Sequence, residues 1–132
     1  ILWEPGYENR EAVWLYKKGP TYYMTISGAR GWKPSPYYYR TATSLAGPWS
    51  GKVKISMNSE TTQCRWILPY QDSNGRERYM FGGERYPYEN FTTTTNMYEQ
   101  SKGYYVFLPV SFDGRNHPTV NWQDRWNTGL SV

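Results

Sequence analysis

Apolar and polar positions alternate in short runs along most of this chain, and the three-to-four-residue spacing of amphipathic helices is nearly absent. Runs at residues 12–16, 22–27, 38–44 and 52–55 are rich in β-branched and aromatic side chains, which suit a pleated, half-buried surface. A second set of runs follows at 63–68, 78–83, 104–110 and 119–122. Between them stand Lys18-Gly19-Pro20, Ser35-Pro36, Asn74-Gly75 and Asp113-Gly114, each a local turn signal. Asn-Gly and Asp-Gly favour tight hairpins because both central residues must accept positive φ. The pattern predicts an all-β chain of eight strands.

The two sets of four share a grammar. Each opens on a polar residue, Glu11 and then Gln63, continues through a hairpin, and closes near a tryptophan, Trp49 and then Trp122. The openings lie 52 positions apart, close to the length of one four-stranded propeller blade. This predicts one partial β-propeller domain over residues 1–132, with blade-like units at about 11–57 and 63–126 and flanking remnants. A blade needs a neighbour on each face to bury its apolar side chains. The missing blades are therefore expected from a longer chain or from other chains, and the opening residue, Ile1 rather than Met, fits the first case.

Composition narrows the partners. Apolar residues make up 38% of the chain and aromatics half of that, with 14 Tyr, 7 Trp and 4 Phe. Such side chains suit partners with a flat apolar face and a polar rim, which describes sugar rings and unstacked bases alike. The net charge of +4 is scattered; only Lys17-Lys18 and the Arg76–Arg78 region hold neighbouring cations, in turn-like sequence expected to be solvated. A nucleic-acid surface needs a basic stripe, so nucleic acid is not an expected partner. The lone Cys64 excludes an internal disulfide and is expected inside a strand. The single His117 precedes a proline in a turn, and no metal or other cofactor is expected. No apolar run reaches membrane-spanning length. Asn90-Phe91-Thr92 is a glycosylation sequon in a polar, Thr-rich stretch, which agrees with a secreted protein.

Several strings share an order with one enzyme family. Asn9-Arg10-Glu11-Ala12 precedes an apolar run, followed by Tyr22-Tyr23-Met24-Thr25 and Ser27-Gly28-Ala29-Arg30-Gly31-Trp32-Lys33-Pro34. Leu45-Ala46-Gly47-Pro48-Trp49, Gln63 with Ile67-Leu68-Pro69, and Phe81-Gly82-Gly83-Glu84-Arg85-Tyr86 come next. Tyr105-Val106-Phe107-Leu108-Pro109, Asp113-Gly114 and Trp122-x-Asp124-x-Trp126 complete the series. This resembles glycoside hydrolase family 43, most closely its exo-β-1,3-galactanase branch, and matches the C-terminal half of that five-bladed catalytic propeller.

The resemblance implies inverting hydrolysis of a β-galactan or arabinogalactan-type polysaccharide. One carboxylic acid protonates the leaving oxygen and a second group positions a water opposite it. Glu11 matches the general acid. Gln63 matches a glutamine beside the attacking water; an amide orients water but does not take its proton at neutral pH. Trp32 matches a sugar-stacking position, and Glu84 and Arg85 stand where the family has Asp-Arg before a tryptophan. Val13 replaces a family proline and suits a strand. Arg30 replaces a threonine and would disfavour neutral galactose or favour an acidic sugar. The competing expectation is a non-catalytic propeller that binds glycan or serves assembly.

Overall fold

The computed structural model describes residues 10–28, 36–57, 63–85 and 103–130. Among these the chain forms β-strands and connecting turns, without a helix. In chain order the strands are β1 (Arg10–Lys18), β2 (Thr21–Gly28), β3 (Tyr37–Ala42), β4 (Val53–Lys54) and β5 (Ser56–Met57). They continue with β6 (Gln63–Gln71), β7 (Glu77–Arg85), β8 (Tyr104–Phe112) and β9 (Pro118–Val120). Every predicted run contains a strand. β3 ends at Ala42 rather than 44, where Gly47 N–H donates to Ser44 O and turns the chain. β9 ends at Val120 rather than 122.

The strands form two sheets, a four-stranded β1-β2-β3-β4 meander and a five-stranded sheet ordered β5-β9-β8-β7-β6. The second departs from the expected pair of four-stranded antiparallel units, because β5 joins it parallel to β9. The predicted strand at 52–55 therefore splits at Ile55. That residue is 1% exposed: its side chain enters the core while its N–H donates to Tyr37 O. Burying the isoleucine ends pairing with β3 and carries the chain across to the other sheet.

The two sheets pack face to face over the core. Tyr16, Tyr23, Tyr37 and Tyr39 come from the first sheet, and Ile67, Tyr79, Phe81, Val106, Leu108, Val110 and Val120 from the second. Tyr16 stacks on Tyr23 with centroids 5.0 Å apart, and Tyr16 meets Tyr79 across the gap. Phe112 meets the rings of Tyr23 and Tyr79 edge-on. Burying each such ring stabilises by about 1.5–3 kcal/mol, which makes this interface the main source of cohesion. Polar contacts pin its edges. Trp14 Nε1–H donates to Ile67 O at 2.9 Å, and Tyr23 O–H donates to Asn116 O at 3.0 Å.

Two aspartates shape the hairpin turns. Asp72 Oδ1 accepts the N–H groups of Asn74 and Arg76, and its Oδ2 accepts Arg78 Nε–H. Asp113 Oδ1 likewise accepts the N–H groups of Arg115 and His117. These bonds hold both carboxyls below their ordinary pKa, the Arg76 and His117 backbone donors contributing most respectively. After β9 the chain runs over the outer face of the second sheet. There Trp126 Nε1–H donates to Phe107 O, and Tyr70 O–H donates to Thr128 O.

Candidate active site at the strand heads

Glu11 and Gln63 occupy equivalent places near the starts of β1 and β6. The two strands run in the same direction. Trp14 reaches Ile67, and two residues further on Tyr16 meets Tyr79, whose partner on β6 is Pro69. Their heads therefore lie at one end of the pair of sheets, and the turns after β1, β6 and β8 lie at the other. On β1, Glu11 pairs with Ser27 and the register then slips before Trp14 pairs with Thr25. On β6, Gln63 pairs with Glu84, Cys64 pairs with Gly83, and the register slips before Trp66 pairs with Gly82.

Both slips are β-bulges, with one extra residue on β1 and on β6 respectively. Ala12 takes a positive φ of 51° at the first, an unusual conformation for alanine. A bulge bends its strand and re-aims the side chains beside it, and bulges are over-represented next to active sites. That the same irregularity recurs beside both sequence-predicted positions is a property of the backbone. The side chains of Glu11 and Gln63, and residues Arg30, Trp32 and Asn90, lie outside the described residues.

Glu84 and Arg85 are described in full. Glu84 is 9% exposed, and its Oε2 accepts Arg65 Nη2–H at 2.6 Å. Arg65 is the residue passed over by the β6 bulge, so the ion pair spans the irregularity directly across from Gln63. Arg85 lies over the rings of Trp122, at 4.9 Å, and Tyr104, at 5.9 Å. Successive strand residues face opposite sides, so Glu84 and Arg85 serve different surfaces. Among the described residues no three His, Cys, Asp or Glu side chains gather as a metal site would need.

Sequence reasoning overlooked Trp14 as a strut between sheets and Arg65 as the partner of Glu84. Trp14 carries a signal in hindsight, because it and Trp66 are separated by the same 52 positions as Glu11 and Gln63. Trp66 lies flat on Gly82, whose missing Cβ leaves room for the indole, and also packs on Phe107.

No protein-family model matches the chain, and no curated protein matches it in sequence. Solved structures do match. An exo-β-1,3-galactanase from Clostridium thermocellum has a TM-score of 0.70 at 29% identity, covering 84% of this chain and 23% of its own. A glycoside hydrolase family 43 β-1,3-galactosidase with galactodeoxynojirimycin has a TM-score of 0.71 at 29% identity, over 89% and 32% of the two chains. An exo-β-1,3-galactanase from Phanerochaete chrysosporium with β-1,3-galactotriose has a TM-score of 0.63 at 25% identity, over 84% and 23%. The chain thus spans between about a quarter and a third of the length of these three structures. In motif order and in fold the chain is thus similar to part of these glycoside hydrolase family 43 β-1,3-galactanase and β-1,3-galactosidase structures.

Proposed function

We propose that this chain is part of a secreted, five-bladed glycoside hydrolase propeller acting on β-1,3-linked galactan or arabinogalactan-type polysaccharide, cleaving from the chain end with inversion. The observation that supports this reading is the pair of bulged strand heads, with Glu11 and Gln63 at matching positions near the starts of β1 and β6. Glu11 donates its proton to the departing glycosidic oxygen. Gln63 orients the water that attacks the anomeric carbon from the opposite face, and that water's proton passes to a carboxylate outside this stretch. Arg30 and Trp32, which follow β2 in the sequence, line the sugar subsite, with Trp32 stacking on the ring. Of the adjacent Glu84 and Arg85, Glu84, opposite Gln63, stands on the substrate-facing rim while Arg85 holds the other face against Trp122 and Tyr104, and Asn90 carries a glycan in the secreted protein.

The missing blades cover two surfaces. Val13 and Leu15 are exposed on the outer side of the first sheet, and Leu68 and Phe107 on the outer side of the second. A propeller blade buries side chains of this kind against its neighbours.

The test is Glu11→Gln in the longer protein, with β-1,3-galactotriose as substrate. Hydrolysis should be lost while the trisaccharide still binds. Full activity in the variant would remove Glu11 from the acid's role. Binding without hydrolysis in the unsubstituted protein would favour the second reading, a glycan-binding module, for which the exposed rings of Tyr104 and Tyr105 speak.

A further inference from the structure

The two sheets carry equivalent positions. In the first, Trp14, Thr25 and Tyr39 lie side by side on β1, β2 and β3; in the second, Trp66, Gly82 and Phe107 do so on β6, β7 and β8. One row towards the strand heads, Tyr37 beside Ser27 corresponds to Tyr105 beside Glu84. One row towards the turns, Tyr16 beside Tyr23 corresponds to Leu68 beside Met80. On β1 and β6 the correspondence is a constant 52 positions, the repeat that also relates Glu11 to Gln63.

Burial breaks the equivalence. In the first sheet these side chains face the second: Trp14 bonds to Ile67 O, Tyr16 meets Tyr79, and Tyr37 lies against Phe81. None of Tyr16, Tyr37 and Tyr39 is more than 5% exposed. In the second sheet Phe81, Val106 and Leu108 face the core, so Gly82, Tyr105 and Phe107, which alternate with them, face away. Leu68, Tyr105 and Phe107 are 42%, 66% and 50% exposed. The segment after β9 touches this face at Phe107 O and Tyr70, and those three side chains remain exposed beside it. The Trp66 indole N–H has no partner among the described residues, where its equivalent Trp14 has Ile67 O.

The receiving half of the contact is repeated too. Trp14 is received at Ile67, which is fully buried. The residue 52 positions earlier is Leu15, which follows Trp14 as Ile67 follows Trp66. Leu15 and Val13 alternate with Trp14 and face away from the second sheet, 38% and 56% exposed. The chain therefore carries an uncovered aromatic face on one sheet and an uncovered apolar face on the other, and the packing between its own sheets shows how two such faces fit. In a longer chain the blades proposed above would take these places; in these 132 residues both are open.

We propose that two copies of this chain associate head to tail. The outer face of the second sheet of one copy packs on the outer face of the first sheet of the other, with Trp66 Nε1–H donating to Leu15 O across the interface. The contact is heterologous, since each copy contributes a different surface. It does not depend on the hydrolytic reading.

Sedimentation equilibrium of the 132-residue chain tests this, alongside Leu15→Glu, Phe107→Glu and Trp66→Phe. Leu15 and Phe107 are exposed, and an unchanged urea midpoint at low protein concentration will confirm that each glutamate variant is folded. Should either midpoint fall, Leu15→Ser or Phe107→Ser takes that variant's place. The unmodified chain should self-associate, and each glutamate variant alone should be monomeric. Their equimolar mixture should form a heterodimer and nothing larger, because one intact face of each kind remains. Trp66→Phe should weaken self-association about 2–10-fold, the worth of one hydrogen bond. An unmodified chain that is monomeric at every concentration, a glutamate variant that still self-associates, or a mixture that stays monomeric would each overturn the head-to-tail contact. An unchanged association constant for Trp66→Phe would overturn the assigned bond.

Discussion

Replacing Phe81 by alanine probes the face-to-face packing on which the rest of the structure depends. Phe81 is fully buried at the middle of β7, paired with Ile67 on one side and Leu108 on the other. Its ring lies 5.6 Å from that of Tyr37 in the opposite sheet. Removing a buried phenyl group costs about 3–5 kcal/mol, as lost transfer energy plus an incompletely collapsed cavity. Against a total of about 5–15 kcal/mol for a domain of this kind, the variant keeps a folded population but loses much of its margin. The melting temperature should fall on the order of 10–20 °C. Urea denaturation followed by tryptophan fluorescence and far-ultraviolet circular dichroism gives the free energy directly, with the two probes coinciding. Leu68→Ala is the internal control. Leu68 neighbours Ile67 on β6 but faces outward at 42% exposure, so its loss should cost about 1 kcal/mol. The milder Phe81→Leu should fall between the two, because it keeps most of the volume. If Phe81→Ala lost no more than Leu68→Ala, the two sheets would not share a core.

Polar contacts carry three further expectations. Trp14→Phe deletes the N–H that reaches Ile67 O, and should lower stability by about 0.5–1.5 kcal/mol in the same urea assay; an unchanged midpoint would show that this strut holds nothing. Asp72 and Asp113 have carboxyl pKa values below their ordinary 3.8 in the fold, so their stabilisation is present above that pH and is lost as pH falls through the folded values. Midpoints measured from pH 5 downward should decline, and the Asp72→Asn/Asp113→Asn variant should show a flatter profile; identical slopes would refute the turn assignment. Burial, followed by the bond to Glu77, pushes the Tyr79 phenol up from 10.0, and burial, followed by the nearby Asp113 charge, pushes Tyr23 up. Those groups keep their protons in the fold while the unfolded chain loses them, so stability should fall above pH 10. An ultraviolet titration should show both phenols ionising only with unfolding, whereas smooth ionisation of every tyrosine near pH 10 would contradict their burial.

Strand content was legible because it is written locally. Alternation at period two, with Asn-Gly and Asp-Gly between the runs, located a strand in each predicted run, and the 52-residue repeat marked equivalent strand heads at Glu11 and Gln63. The order of short motifs pointed to the same enzymes whose solved structures the fold resembles. The sequence alone did not reveal the bulges beside those heads, because a register slip depends on how many residues the partner strand presents opposite. Glu84 and Arg85 were read together, but adjacent strand positions face apart, and tertiary contacts gave one to Arg65 and the other to Trp122 and Tyr104. Residues 52–55 look like a single edge strand in isolation; burial of Ile55 between the sheets divides them and sends β5 to pair with β9. Lys18 looked like a solvated turn cation until the β8–β9 turn, 98 residues away, placed Asn116 against it. Local pattern determines which residues can be strands and turns, whereas partnership, facing and burial are settled between segments distant in the chain, where one side chain's surroundings are another's choice of register.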